Sequence, residues 1–202
     1  MFVIVRHGNT FAAGEPPRRI GARTDLPLTD DGRAQGEALG AHFAALGWCF
    51  ARVLASPLLR TRATAQAIVG AQGGLPAPVI CDWLAEIDHG PDEDKDEATV
   101  LARIGHDALA AWDAQALPPP GWRVDAERRI EGWRALFAAP PADGPVLLVT
   151  SNGAARFALL ADPGLTVAMR GLPSLKLPTG GYGLLRREAD GAWRIPVWGQ
   201  RP

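Results

Sequence analysis

Apolar and polar positions along this chain follow two periods. Phe2-Val-Ile-Val5 and Val146-Leu-Leu-Val149 are short, unbroken apolar runs, the pattern of strands covered on both faces. Arg52–Ala55 and Pro78–Cys81 read as two further short strands. Helical spacing fills the intervals. Thr29-Asp30-Asp31 opens a helix to about Leu46, with Ala34, Leu39, Phe43 and Leu46 on one face. Ser56-Pro57 reads as an N-cap followed by proline at the first helical position, and that helix runs to about Val69. Further helices are predicted from Glu97 to about Ala116, from Asp125 to Ala138 and from Asn152 to about Ala161, with Pro118–Gly121 as a breaker. Residues 182–187 and 192–198 alternate in period two around Asp190-Gly191, a hairpin signal.

Strands alternating with helices predict an α/β fold with a mainly parallel sheet, and the terminal hairpin makes one edge antiparallel. Residues 1–202 are expected to form a single domain, with a helical excursion at about 82–124. A hydrophobic fraction of 47% suits a globular core, and the net charge is −1. No basic stripe points to nucleic acid, and no apolar run is long enough to span a bilayer. The first residues become charged too soon for a secretory leader, and Cys49 and Cys81 read as reduced thiols rather than a disulfide framework. The expectation is a cytoplasmic protein with no nucleic-acid or membrane partner.

The chemistry-bearing residues fall at the same end of successive strands. Arg6 and His7 follow the first strand, Ser56 and Arg60 the second, Glu86 the third, and Ser151 and Asn152 the run at 146–149. In an open α/β sheet these ends meet at one crevice. An imidazole there can act as a nucleophile, and a guanidinium beside it can grip phosphoryl oxygens through paired N–H donors. The aspartates at 92, 94 and 96 alternate, but the glycine that a calcium loop needs for its sharp turn is missing, so no metal is expected there.

In five blocks the chain resembles the histidine phosphatase superfamily, which includes cofactor-dependent phosphoglycerate mutases and many small phosphatases. The blocks are Arg6-His7-Gly8 with Thr10, Asp25–Gly32, Ser56–Ala65, Leu84–Gly90 and Val146–Arg156, and they occur in the family's order. The resemblance implies a three-layer α/β/α, phosphoglycerate mutase-like fold. It also implies phosphomonoester hydrolysis through a phosphohistidine on His7, with Glu86 as acid and then base. Phosphate binding falls to Arg6, Asn9, Arg60, Ser151 and Asn152. No cofactor and no metal are implied, since arginines can carry the charge; the partner is a small phosphorylated substrate or inorganic phosphate.

One position departs from the pattern. The family carries a second histidine in the last block, where this chain, counted back from Arg156, has Ser151; no histidine lies beyond His106. Losing one donor to a developing charge costs on the order of 3 kcal/mol, roughly a hundredfold in rate. Three outcomes are open: a slow enzyme, compensation by His89, or a phosphate binder without turnover. Mutase-type phosphotransfer is a further reading, for which Arg18, Arg19 and Arg23 would supply a second anion site near the entrance. A serine hydrolase at Ser151 would need a later histidine, which is absent.

Overall fold

The computed structural model describes residues 1–141 and 143–202. Six strands, β1 (Phe2–Arg6), β2 (Arg52–Ala55), β3 (Val79–Ile80), β4 (Val146–Thr150), β5 (Tyr182–Arg187) and β6 (Trp193–Gln200), form one mixed sheet. The order is β3-β2-β4-β1-β5-β6. The first four run parallel, and β5 and β6 run antiparallel as the hairpin signal predicts. The central strands β1 and β4 alternate Phe2 and Ile4 with Val146 and Leu148 toward one core, and Val3 and Val5 with Leu147 and Val149 toward another. Both faces are therefore apolar, which is why these strands read as unbroken runs rather than alternating ones.

Helices α1 (Asp30–Ala45) and α2 (Leu59–Gln72) cover the second face through Leu39, Phe43, Ala65 and Ile68. The first face is covered by α3 (Glu97–Gln115), α4 (Ala126–Ala138), α5 (Asn152–Ala155), α6 (Phe157–Leu160) and α7 (Pro163–Ala168), with Trp112, Trp133 and Phe157 in its core. The result is an α/β fold with a mainly parallel sheet, as the pattern predicts, in the three-layer form that the resemblance implies. Among the described residues, no helix is long and apolar enough to cross a membrane.

Thr29 caps α1 by accepting from the Gly32 N–H at 3.1 Å, and Asp30 and Asp31 sit at the positive end of the helix dipole. Two helix predictions change. Ser56 is not an N-cap: its hydroxyl pairs with Thr61 Oγ1 at 2.7 Å, and α2 starts two residues past Pro57, after an extended Leu58. The segment after β4 breaks into α5 and α6 at Arg156, whose buried guanidinium lies 4.2 Å from the Trp112 ring centroid.

The acidic stretch 88–97 is exposed at Pro91 and Asp94–Glu97, yet carboxylates within it are engaged by the fold. Asp92 is buried and accepts from Arg103 and from Trp122 Nε1 at 2.6 Å, and Asp96 caps α3 through the Thr99 N–H at 2.8 Å. The buried tryptophan and the arginine give this carboxylate donors that a sequence pattern does not reveal.

Candidate active site

The site forms where β1 and β4 end. Hydrogen bonds from the Arg6 N–H to Gly181 O (3.0 Å) and from the His7 N–H to Thr150 O (3.0 Å) carry the sheet ladder one step past the last apolar residue. The chain then turns at Gly8 onto the first turn of α1. A Cβ on Gly8 would overlap the Gly32 carbonyl, and one on Gly32 would overlap the Asn9 carbonyl. Only glycine allows this approach, and it fixes where the His7 ring emerges.

His7 is 3% exposed. Its Nδ1 lies 2.8 Å from Gly8 O. A carbonyl only accepts, so Nδ1 carries the proton and Nε2 keeps its lone pair. Burial, then the charges of Arg60 and Arg6, hold the imidazole well below its ordinary value of 6.5, so the ring is neutral at neutral pH. Arg60, fully buried on α2, donates from Nε to His7 Nε2 at 3.2 Å. Its other nitrogens donate to Thr24 O at 2.8 Å and Gly21 O at 3.1 Å, so backbone carbonyls aim the guanidinium at the imidazole. Arg6 donates from Nη1 to Leu177 O at 2.8 Å and lines the same cleft as His7.

The cleft has a volume of about 570 Å³, and Glu86, His89, Asn9, Asn152, Gly153, Trp112 and Phe11 share its wall with Arg6 and His7. Glu86 is 6% exposed, and both its oxygens are engaged: Oε1 accepts from the Ile87 N–H at 2.9 Å and Oε2 from the Gly153 N–H at 3.0 Å. Burial favours its neutral form. His89, the two N–H donors and Arg60 outweigh that, and its pKa lies below the ordinary carboxylate value.

The structure brings together Arg6, His7, Asn9, Arg60, Glu86 and Asn152. Asn9 Oδ1 accepts from Thr179 Oγ1 at 2.5 Å, and Asn152 Oδ1 accepts from the Leu177 N–H at 2.9 Å, which leaves the Asn152 amide N–H groups as its free donors. Ser151 stands apart. It is fully buried beneath the wall, and its hydroxyl has no hydrogen-bond partner among the described residues.

Two positioning groups were not among the expected site residues. Arg129, on α4, donates to Val124 O at 2.6 Å, Trp83 O at 3.2 Å, Ala85 O and Glu86 O at 3.4 Å, and so grips the turn that presents Glu86. Gly153 lies so close to Glu86 that a Cβ there would overlap Oε1. Gly153→Ala is therefore expected to push the carboxyl aside and lower turnover about a hundredfold, while phosphate still binds. Steady-state kinetics beside a phosphate titration check this outcome.

The cations at the entrance are already paired. Arg18 lies 3.2 Å from Asp94 and 3.8 Å from Glu15, Arg19 lies 2.5 Å from Glu97, and Arg23 lies 2.9 Å from Asp88. Each arginine that would build a second anion site thus already faces a carboxylate.

Comparison with known proteins places the chain in a family. The family model described as "Histidine phosphatase superfamily (branch 1)" matches residues 2–200. A 2,3-bisphosphoglycerate-dependent phosphoglycerate mutase of Rhizobium etli is 33% identical over 156 residues, which cover 75% of this chain and 74% of that protein. Among solved structures, a mycobacterial glucosyl-3-phosphoglycerate phosphatase in complex with VO3 superposes with a TM-score of 0.76 at 25% identity, covering 98% of each chain. The α-ribazole phosphatase of Shigella flexneri gives a TM-score of 0.72 at 21% identity, over 99% of this chain and 96% of that one. In its sequence blocks, sheet order and matched length, the chain belongs to the histidine phosphatase superfamily, branch 1.

Proposed function

We propose that this protein is a phosphatase that hydrolyses a small phosphomonoester through a phosphohistidine on His7. The observation that carries the reading is the state of the His7 ring. Nδ1–H is locked to Gly8 O, and the Nε2 lone pair accepts from the buried Arg60 Nε–H at 3.2 Å, a bond that an entering phosphoryl group replaces as Arg60 turns its N–H groups to the phosphoryl oxygens. A neutral, oriented imidazole is the form that can attack phosphorus.

In the first step Nε2 bonds to phosphorus, the ester P–O bond breaks, and its electron pair leaves with the alcohol oxygen. Glu86 gives that oxygen a proton. In the resting site the carboxyl is ionised; the arriving phosphoryl anion raises its proton affinity by like-charge repulsion, and Glu86 takes the proton it will donate from the ester monoanion as it binds. In the second step water attacks phosphorus, gives its proton to Glu86, and the P–N electron pair returns to the ring. Arg6, Arg60 and the Asn152 amide hold the equatorial oxygens, where charge stabilisation does most of the work of phosphoryl transfer. The unpaired thiols of Cys49 and Cys81 suit a reducing cytoplasm.

The mutase relative raises phosphotransfer as a second reading, but the paired arginines at the entrance favour hydrolysis of a monoester whose leaving group is neutral. Phosphate release from a panel of sugar phosphates, phosphoglycerates and nucleotides tests both. Esters with uncharged leaving groups are expected to exceed phosphoglycerates by about tenfold or more in kcat/KM, the loss expected from an unmatched second anion. Transfer between the hydroxyls of a phosphoglycerate, without net phosphate release, would overturn the phosphatase reading.

A further inference from the structure

Ser151 is neutral and sealed under the wall, so it does not bring a charged donor to the cleft. A different imidazole does reach that space. His89 lies on the loop three residues past Glu86 and lines the cleft together with His7, Glu86 and Asn152. The ring packs edge-on against Trp122, with centroids 4.6 Å apart at 80°. Its Nδ1 is enclosed and faces Glu93 Oε2 at 3.6 Å, an ion-pair distance slightly longer than a hydrogen bond. A Cβ on Gly21 would come within 2.6 Å of the same nitrogen, so that edge of the ring is walled by the 21–24 loop. Nε2, at the opposite edge, has no protein partner among the described residues and is the nitrogen left for the cleft.

Glu93 is built to hold such a ring. Its carboxylate accepts from the Gly21 N–H at 2.8 Å, the Arg23 N–H at 3.1 Å, Thr24 Oγ1 at 2.8 Å and the His89 N–H at 3.1 Å. Burial opposes its charge, but the His89 ring, the Thr24 hydroxyl and the backbone donors overcome that and pull its pKa down to about 2. A carboxylate fixed behind one ring nitrogen holds the imidazole in a single orientation. Further charged groups near this loop are Glu86 on the preceding turn, Asp88 with its partner Arg23, Asp92 on Trp122 Nε1, and Arg19, whose guanidinium lies 5.0 Å from the Trp122 ring centroid.

We propose that His89, backed by Glu93, is a catalytic residue that donates from Nε2 to a nonbridging oxygen of the transferring phosphoryl group, in place of the histidine this chain lacks. The proposal rests on the phosphohistidine reading and adds to it the group that answers the developing charge. No proton is consumed: the bond forms as the phosphoryl group flattens and relaxes when inorganic phosphate leaves.

Two variants test it. His89→Phe keeps a flat ring against Trp122 and removes the donor; His89→Gly opens a space that added imidazole can fill. His89→Phe is expected to lose about a hundredfold in kcat, the worth of one oxyanion donor, with KM within about threefold and the melting temperature near that of the parent. His89→Gly is expected to lose as much and to recover at least about tenfold in millimolar imidazole. A parent enzyme that releases phosphate while His89→Phe matches its kcat would overturn the role of His89 alone. A parent that neither releases phosphate nor forms phosphohistidine would overturn the phosphatase reading, and this proposal with it.

Discussion

Replacing His7 by alanine is expected to lower phosphate release by at least about a thousandfold and to abolish any acid-labile phosphoenzyme. Every other donor at the site remains, so phosphate binding is expected to persist. Rapid quench with a labelled ester and equilibrium titration with phosphate measure the two effects separately. A variant that still turns over would mean that the phosphoryl group is transferred directly to water. The same change alters stability in a pH-dependent way. The folded state holds this imidazole well below 6.5, so above that pH the ring is neutral in both folded and unfolded chains. Below it the unfolded chain binds a proton that the folded one refuses. This group then costs the parent about 1.4 kcal/mol of stability per pH unit until the folded pKa is reached. His7→Ala lacks that slope. The stability gap between parent and variant, read from urea unfolding at pH 7.5 and pH 5, is expected to narrow on the acid side.

The sheet was legible because its evidence is local. Unbroken apolar runs at 2–5 and 146–149 mark strands covered on both faces, and β1 and β4 prove to be the central parallel pair. Arg6, His7 and Arg60 were legible because each follows a strand end or opens the helix after one, and the crossover topology carries all three to one edge. The supports were not legible. Arg129 acts on carbonyls more than forty positions away, and an amphipathic helix carrying Arg128, Arg129 and Arg134 gives no sign of which guanidinium turns inward. Glu93 lies within an acidic run whose composition suggests solvent, yet its carboxylate pins the 21–24 loop against the loop of His89. Ser151 occupies a position that resemblance marks as functional, but it is fully buried and does not line the cleft. In each case, spacing along the chain told which element carries a residue, while distant backbone acceptors and side-chain length decided what it does.

Arg60→Met is expected to lower kcat/KM by about a hundredfold to a thousandfold, and it separates two jobs that one guanidinium performs. On the proposed mechanism, Arg60 supplies charge to the substrate beside His7 Nε2. Toward the fold, it donates to Thr24 O and Gly21 O and lies 3.9 Å from Asp25. Methionine fills similar volume, so the fold loses its donors rather than its packing. Each buried carbonyl left without a donor costs about 1–3 kcal/mol, and a lower urea midpoint is expected together with the kinetic loss. Arg60→Lys tells the two jobs apart. An ammonium keeps the charge but cannot donate to two carbonyls and to the phosphoryl oxygens through one rigid plane. If positioning dominates, the lysine variant should bind phosphate within about tenfold of the parent yet recover little of kcat, because a mobile charge answers the ground state as well as the transition state. If charge alone mattered, lysine would restore turnover, and the aimed contact between Arg60 Nε and His7 Nε2 would have no catalytic weight.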